Sequence, residues 1–213
     1  MKKILLLLAL CLPMLAQAKE KVDDTKYLAG AVPEVNGVVT FQKSFKVPGK
    51  SKQEIYTALK GWAQGLVDNS IPAPGNFARI SMDTPDTIVA KVCEFQVYKD
   101  KFLNLDRSRF RYTLAICIDG NKVTITQSGL AYYYGEDPEG NRGTMYRAEE
   151  WITDKWAIHK NGKKLLPKSA KFRRKTVDRA ESLFESAMDV FEEKEAPKPE
   201  VPAKKVRKGI VED

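Results

Sequence analysis

His159 is the single histidine of the chain, so any Ser–His–Asp or Cys–His arrangement would have to be built on it. It stands beside Lys160, Lys163 and Lys164, the setting of a solvated imidazole, and no Gly-x-Ser-x-Gly elbow supplies a nucleophile. Glu149, Glu150 and Asp154 form the tightest carboxylate cluster. Paired carboxylates across a cleft hydrolyse glycosidic bonds, so a hydrolase acting on an envelope glycan or peptide is the alternative function. Acidic residues that open a helix are equally accounted for by its dipole. One histidine and two strand cysteines do not make a zinc set. Asp137, Glu139 and Asn141 alternate in a polar loop but lack the terminal Glu of a calcium loop, and Gly49-Lys50-Ser51 lacks the first glycine of a phosphate loop. No catalytic residue, metal or cofactor is expected, and the chain does not read as an enzyme.

Binding chemistry has two sources. Lys171, Arg173, Arg174, Lys175 and Arg179 place five cations within nine positions where the last helix begins. Cations at a helix start oppose the dipole, so helix stability does not account for them, and an anionic partner is the functional reading. Tyr132, Tyr133 and Tyr134 are consecutive, so at least one points away from the core of a strand, and Trp151 follows closely. If the open sheet face or its rim presents them, they form an aromatic surface for a peptide or glycan.

The elements that would position these groups follow from periodicity. Val39, Phe41, Phe45 and Val47 alternate with polar residues as a half-buried strand, ended by Pro48-Gly49. Ser51 and Glu54 are spaced as a capping box, and Ile55, Leu59, Trp62 and Leu66 form one helical stripe ending near Asn69. Pro72, Pro74 and Gly75 mark a loop. Four strand-like runs follow, over 77–82, 87–98, 109–118 and 122–134, with Asp119-Gly120-Asn121 as a tight turn joining the last two. The apolar side of the last run changes at Gly129, which predicts a bulge. Gly135 to Gly143 reads as a loop, 148–158 as a short helix, and a long helix carries Val177, Ala180, Phe184, Ala187 and Phe191 on one face. The order β-α-β-β-β-β-α-α predicts an α+β domain with one antiparallel five-stranded sheet and helices on one face. Parity puts Cys93 toward the core and Cys117 on the opposite face, which argues against a disulfide.

The start, Met1-Lys2-Lys3, then an apolar block from Ile4 to Leu15, then Ala16-Gln17-Ala18, has the three segments of a secretory signal, so cleavage after Ala18 and a periplasmic or secreted location are expected. The block is too short to span ~30 Å of hydrocarbon, and no membrane span is expected after cleavage. Residues 19–36 read as an N-terminal leader, 37–191 as the domain and 192–213 as a flexible charged tail. With 36 basic against 28 acidic residues, a formal charge of +8 and 43% hydrophobic residues, the 213-residue composition excludes a disordered chain and a polytopic membrane protein.

Four stretches resemble one family. Val47-Pro48-Gly49-Lys50-Ser51 leads into a helix, and Leu105-Asp106-Arg107-Ser108-Arg109 enters a strand. The others are Ala148-Glu149-Glu150-Trp151-Ile152-Thr153-Asp154-Lys155-Trp156 and Lys171-Phe172-Arg173-Arg174-Lys175-Thr176. In this order they resemble the exported bacterial family known as domain of unknown function 4468, over most of 37–191. The resemblance implies a fold like that of the TATA-binding protein and carries no catalytic residue with it. The expected function is a non-catalytic binding or assembly module of the cell envelope. Its partner would be an envelope protein, a glycan or an anionic lipid headgroup, and not nucleic acid, which an exported chain does not meet.

Overall fold

The computed structural model describes residues 23–72, 77–102, 104–136 and 142–192. The expected signal segment 1–18, the tail beyond Glu192 and Asp137, Glu139 and Asn141 lie outside the described residues.

Alternating side chains build a six-stranded antiparallel sheet from β3 (Phe41–Lys46), β4 (Arg79–Thr84), β5 (Thr87–Lys101), β6 (Asn104–Asp119), β7 (Lys122–Glu136) and β8 (Arg142–Arg147). Its order is β3-β7-β6-β5-β4, and β8 pairs with β7 on the same edge as β3, beyond it. Helix α1 (Lys52–Asp68) starts with both bonds of the capping box in place: Ser51 Oγ accepts from Glu54 N at 3.3 Å, and Glu54 Oε2 accepts from Ser51 N at 2.8 Å. The short α2 (Asp154–Ala157) precedes the long α3 (Pro167–Asp189).

One face of the sheet buries Ile88, Ala90 and Val92 of β5, Phe110 to Ile116 at alternate positions of β6, and Val123, Ile125 and Tyr132 of β7. Ile55, Leu59 and Ala63 of α1 and Phe172, Val177, Leu183 and Ala187 of α3 close over it. Burial of this kind contributes about 1.5–3 kcal/mol per large apolar side chain. The inward set of β7 changes parity at Gly129, which has φ +63°: Gly129 and Leu130 lie opposite the single Tyr112 between the Arg111 and Thr113 rungs. This is the bulge expected from the sequence.

Several expectations are corrected. The sheet has six strands, because Arg142–Arg147, which begins in the expected loop and runs up to the start of the expected short helix, pairs with β7. The 148–158 region contains a 3-10 turn (Ala148–Glu150) and only a one-turn α2. Residues 23–36 are built onto the domain: Val32 is buried, Tyr27 and Leu28 carbonyls accept bonds from α3, and β1 (Glu34–Val35) pairs with β2 (Val38–Val39).

The two cysteines share one face. Cys93 pairs with Arg111 and Cys117 with Thr87 in continuous register, so they stand six positions apart along the strands, about 20 Å, on the face turned away from the helices. Both are free. The parity argument fails because Val89, Cys93 and Phe95, the greasier alternation of β5, face outward. Residues 70–72 run beside β5 there, with Ile71 N donating to Cys93 O at 2.9 Å and Cys93 N to Ser70 Oγ at 3.2 Å.

Candidate functional site

The cations singled out in the sequence are occupied within the fold. Lys171 Nζ donates to Asp106 Oδ2 of β6 and to the Tyr134 hydroxyl, each at 2.6 Å. Arg173 is fully buried and donates to the carbonyls of Tyr27 (2.5 Å), Ile152 (2.6 Å) and Leu28 (2.7 Å) and to Asp154 Oδ1 (2.6 Å). Arg174 grips Asp24 at 2.6 and 2.9 Å. Arg179 grips Glu94 of β5 at 2.7 and 2.8 Å in the two-pronged geometry that suits a guanidinium. Lys175 alone is exposed and unpaired among the described residues. Four of the five therefore stitch α3 to the 23–36 segment and to the sheet, and they do not form an open anion-binding patch.

The aromatic set is likewise mostly interior. Tyr132 is fully buried, stacks on Phe110 with ring centroids 5.2 Å apart, and shares a 2.6 Å hydrogen bond with Thr176. Burial pushes its phenol above the usual tyrosine range, so it stays a neutral hydroxyl. Tyr134 and Trp151 both set their edges against Phe172, and Trp151 also stacks on Tyr146 at 4.2 Å. Tyr133 alone faces outward.

The clustered carboxylates also have structural duties. Glu149 Oε1 accepts from Val39 N at 2.9 Å, and Asp154 holds both Gly30 N and Arg173. His159 is exposed. Among the described residues no three His, Cys, Asp or Glu side chains converge on a metal position.

The unpaired charge lies on the opposite side, on the outer face of the sheet. Register places Arg79 beside Lys91, Cys93 beside Arg111, and Arg111 beside Ala131, which pairs with Arg147. The next rung runs Phe95, Arg109, Tyr133, Met145, and the one after it Val97, Arg107. Same-face rungs are about 6.6–7 Å apart, so these six cations occupy a strip of roughly 20 Å. Aromatic rings hold their stems. The Arg107 guanidinium lies 3.7 Å from the centroid of Phe95; Arg111 sits over Phe77 at 5.1 Å and over Tyr133 at 5.3 Å; Lys91 covers the other ring contact of Phe77 at 5.4 Å. A guanidinium stacked on a ring keeps its N–H rim available to an anion. Arg109 is neutralised by Glu136 at 2.6 Å and also donates to Pro72 O. Arg79, Lys91, Arg107, Arg111 and Arg147 have no carboxylate partner among the described residues. The alternation Arg107-x-Arg109-x-Arg111 in a strand is the signal that identifies this face, since period two sends all three side chains to one side.

The described residues form an α+β domain, an antiparallel sheet with helices on one face and a cationic, aromatic outer face on the other. The sequence profile described as "Domain of unknown function (DUF4468) with TBP-like fold" matches residues 41–133. A DUF4468 family protein from Bacteroides ovatus is 34% identical over 84% of this chain and 99% of its own, with a TM-score of 0.70, and the chain belongs to that family. A TBP-like protein from Parabacteroides distasonis, 22% identical over 76% of this chain and 97% of its own, shares the fold with a TM-score of 0.57. No curated protein matches the chain.

Proposed function

We propose that this protein is a non-catalytic binding or assembly module of the cell envelope, exported by its first 18 residues, that docks an anionic partner on the open face of its sheet. One observation carries the reading: five cations without carboxylate partners share that face, while four of the five cations in the basic run of α3 are held by carboxylates. A strip of uncompensated like charge costs stability through self-repulsion, and an anionic partner relieves it. The non-catalytic part is supported by Glu149 and Asp154 already being engaged in backbone and guanidinium bonds. The secretory character of residues 1–18 supports the location.

The test compares matched charge reversals on an immobilised poly-L-glutamate column developed with salt. The double variant Arg107→Glu/Arg147→Glu should elute at clearly lower salt than the parent. Lys168→Glu/Lys175→Glu, with the same change in net charge on exposed positions of α3, should elute close to it. Equal shifts for the two variants would mean that net charge, and not the outer face, governs retention.

A further inference from the structure

Beyond the body of the sheet, β5 and β6 continue alone as a two-stranded ribbon. Residues 97–101 pair only with β6, and 104–107 only with β5, so the ribbon runs past the paired parts of β4 and β7, tied back at its base where Lys171 joins Asp106 to Tyr134. At its tip Phe102 is 94% exposed, and Leu105 and Val97, both on the side continuous with the outer face, are 52% and 37% exposed. Arg107 stands across from Val97 on that side, while the irregularity at Tyr98 turns Lys99 and Lys101 to the other side of the ribbon and sets Asp100 opposite Leu105; all four charged groups are exposed and without ion-pair partners among the described residues. A ribbon two strands wide cannot cover the ~800 Å² per partner that a stable protein interface needs. A phenyl ring at its apex, with Lys99 and Lys101 behind it on one side and Arg107 on the other, has the proportions for entering the boundary of a bilayer, where an apolar group sinks about 5–10 Å and basic side chains meet anionic headgroups.

We propose that the partner of the outer face is an anionic lipid surface, with Phe102 as the inserting group, Leu105 and Val97 behind it, Arg107 and Arg111 contacting headgroups from the outer side, and Lys99 and Lys101 contacting them from the other side of the ribbon. This rests on the reading of the outer face as the docking surface and adds the nature of the partner. Phe102 contributes little to folding at that exposure, so its replacement isolates the interaction with lipid.

The test is co-sedimentation of the protein, isolated from the cells that make it in the form they produce. The probes are vesicles of phosphatidylethanolamine with 30% phosphatidylglycerol, and vesicles of phosphatidylcholine alone. Binding to the anionic vesicles should exceed binding to the neutral ones at least tenfold. Phe102→Ser should weaken it about tenfold while leaving retention on poly-L-glutamate unchanged. Phe102→Trp should keep vesicle binding and show a blue shift of emission on addition of anionic vesicles beyond any shown by the parent's Trp62, Trp151 and Trp156. Poly-L-glutamate retention with no preference for anionic vesicles would overturn the lipid assignment and leave the outer-face reading standing. Loss of both would overturn both. Vesicle binding by Phe102→Ser equal to the parent's would overturn the insertion.

Discussion

Replacing Arg173 should unfold the protein far more readily than its place in a surface-like basic run implies. Its guanidinium is fully buried and makes four bonds of 2.5–2.7 Å, three to carbonyls and one to Asp154. Removing one partner from such a buried network costs ~3–5 kcal/mol, because the groups left behind have lost both water and donor. Asp154 is 43% exposed and can rehydrate, so most of the penalty falls on the carbonyls of Tyr27, Leu28 and Ile152. For a chain of this size ~1 kcal/mol moves the midpoint by roughly 2–4 °C, so Arg173→Met should lower Tm by about 6–20 °C. Urea unfolding followed by circular dichroism gives the free energy, and amide exchange over 25–31 shows whether the N-terminal segment is released first. Asp154→Asn should cost only about 1 kcal/mol. An Arg173→Met protein within ~1 kcal/mol of the parent would refute the claim that this charge holds the N-terminal segment to α3.

Burial pushes the Cys93 thiol up to about 11 from an ordinary value near 9. A raised acid of this kind contributes stability that is fully present below pH ~9 and is lost as pH rises toward 11. With a disulfide reagent at pH 8, Cys117 should react at once and Cys93 only on unfolding; fast reaction of both would contradict the burial. Gly143 has φ +70°, and a Cβ there would lie 2.6 Å from Tyr134 O, so Gly143→Ala should cost about 1–3 kcal/mol through the β7–β8 pairing. Gly61→Ala, in an open helical position of α1, should instead stabilise by about 0.5–1 kcal/mol, and chemical denaturation of the two variants reads both.

Local patterns reveal local structure well in this chain. The Ser51–Glu54 capping box, the Ile55–Leu59 stripe, the Gly120 turn and the Gly129 bulge are each set by neighbouring residues, and each stands where its pattern puts it. What depends on distant partners is not readable in the same way. The cations of α3 count as free charges in the sequence because Asp24, Glu94 and Asp106, which pair with them, are 65 to 150 positions away. The 23–36 segment has no period because it is held by polar bonds to distant residues, the Tyr27 and Leu28 carbonyls on Arg173, Asp24 on Arg174 and Gly30 N on Asp154. The inversion of β5 has the same origin: whether Val89 and Phe95 or Ile88 and Val92 face the helices is decided by what covers each side. Residues 70–72 and stacked arginines make the outer face greasy enough to mislead. The Arg107-x-Arg109-x-Arg111 alternation was within reach of period-two reading, but it was masked by the denser run in α3.

The location of the docking surface is tested most directly by mapping amide chemical shifts of the labelled protein while poly-L-glutamate is added at low salt. The account predicts that the changes gather on 93–97, 107–111, 131–133 and 145–147, and fade as salt is raised. Changes centred on the exposed side of α3 around Lys168 and Lys175, with the outer sheet amides unmoved, would contradict it.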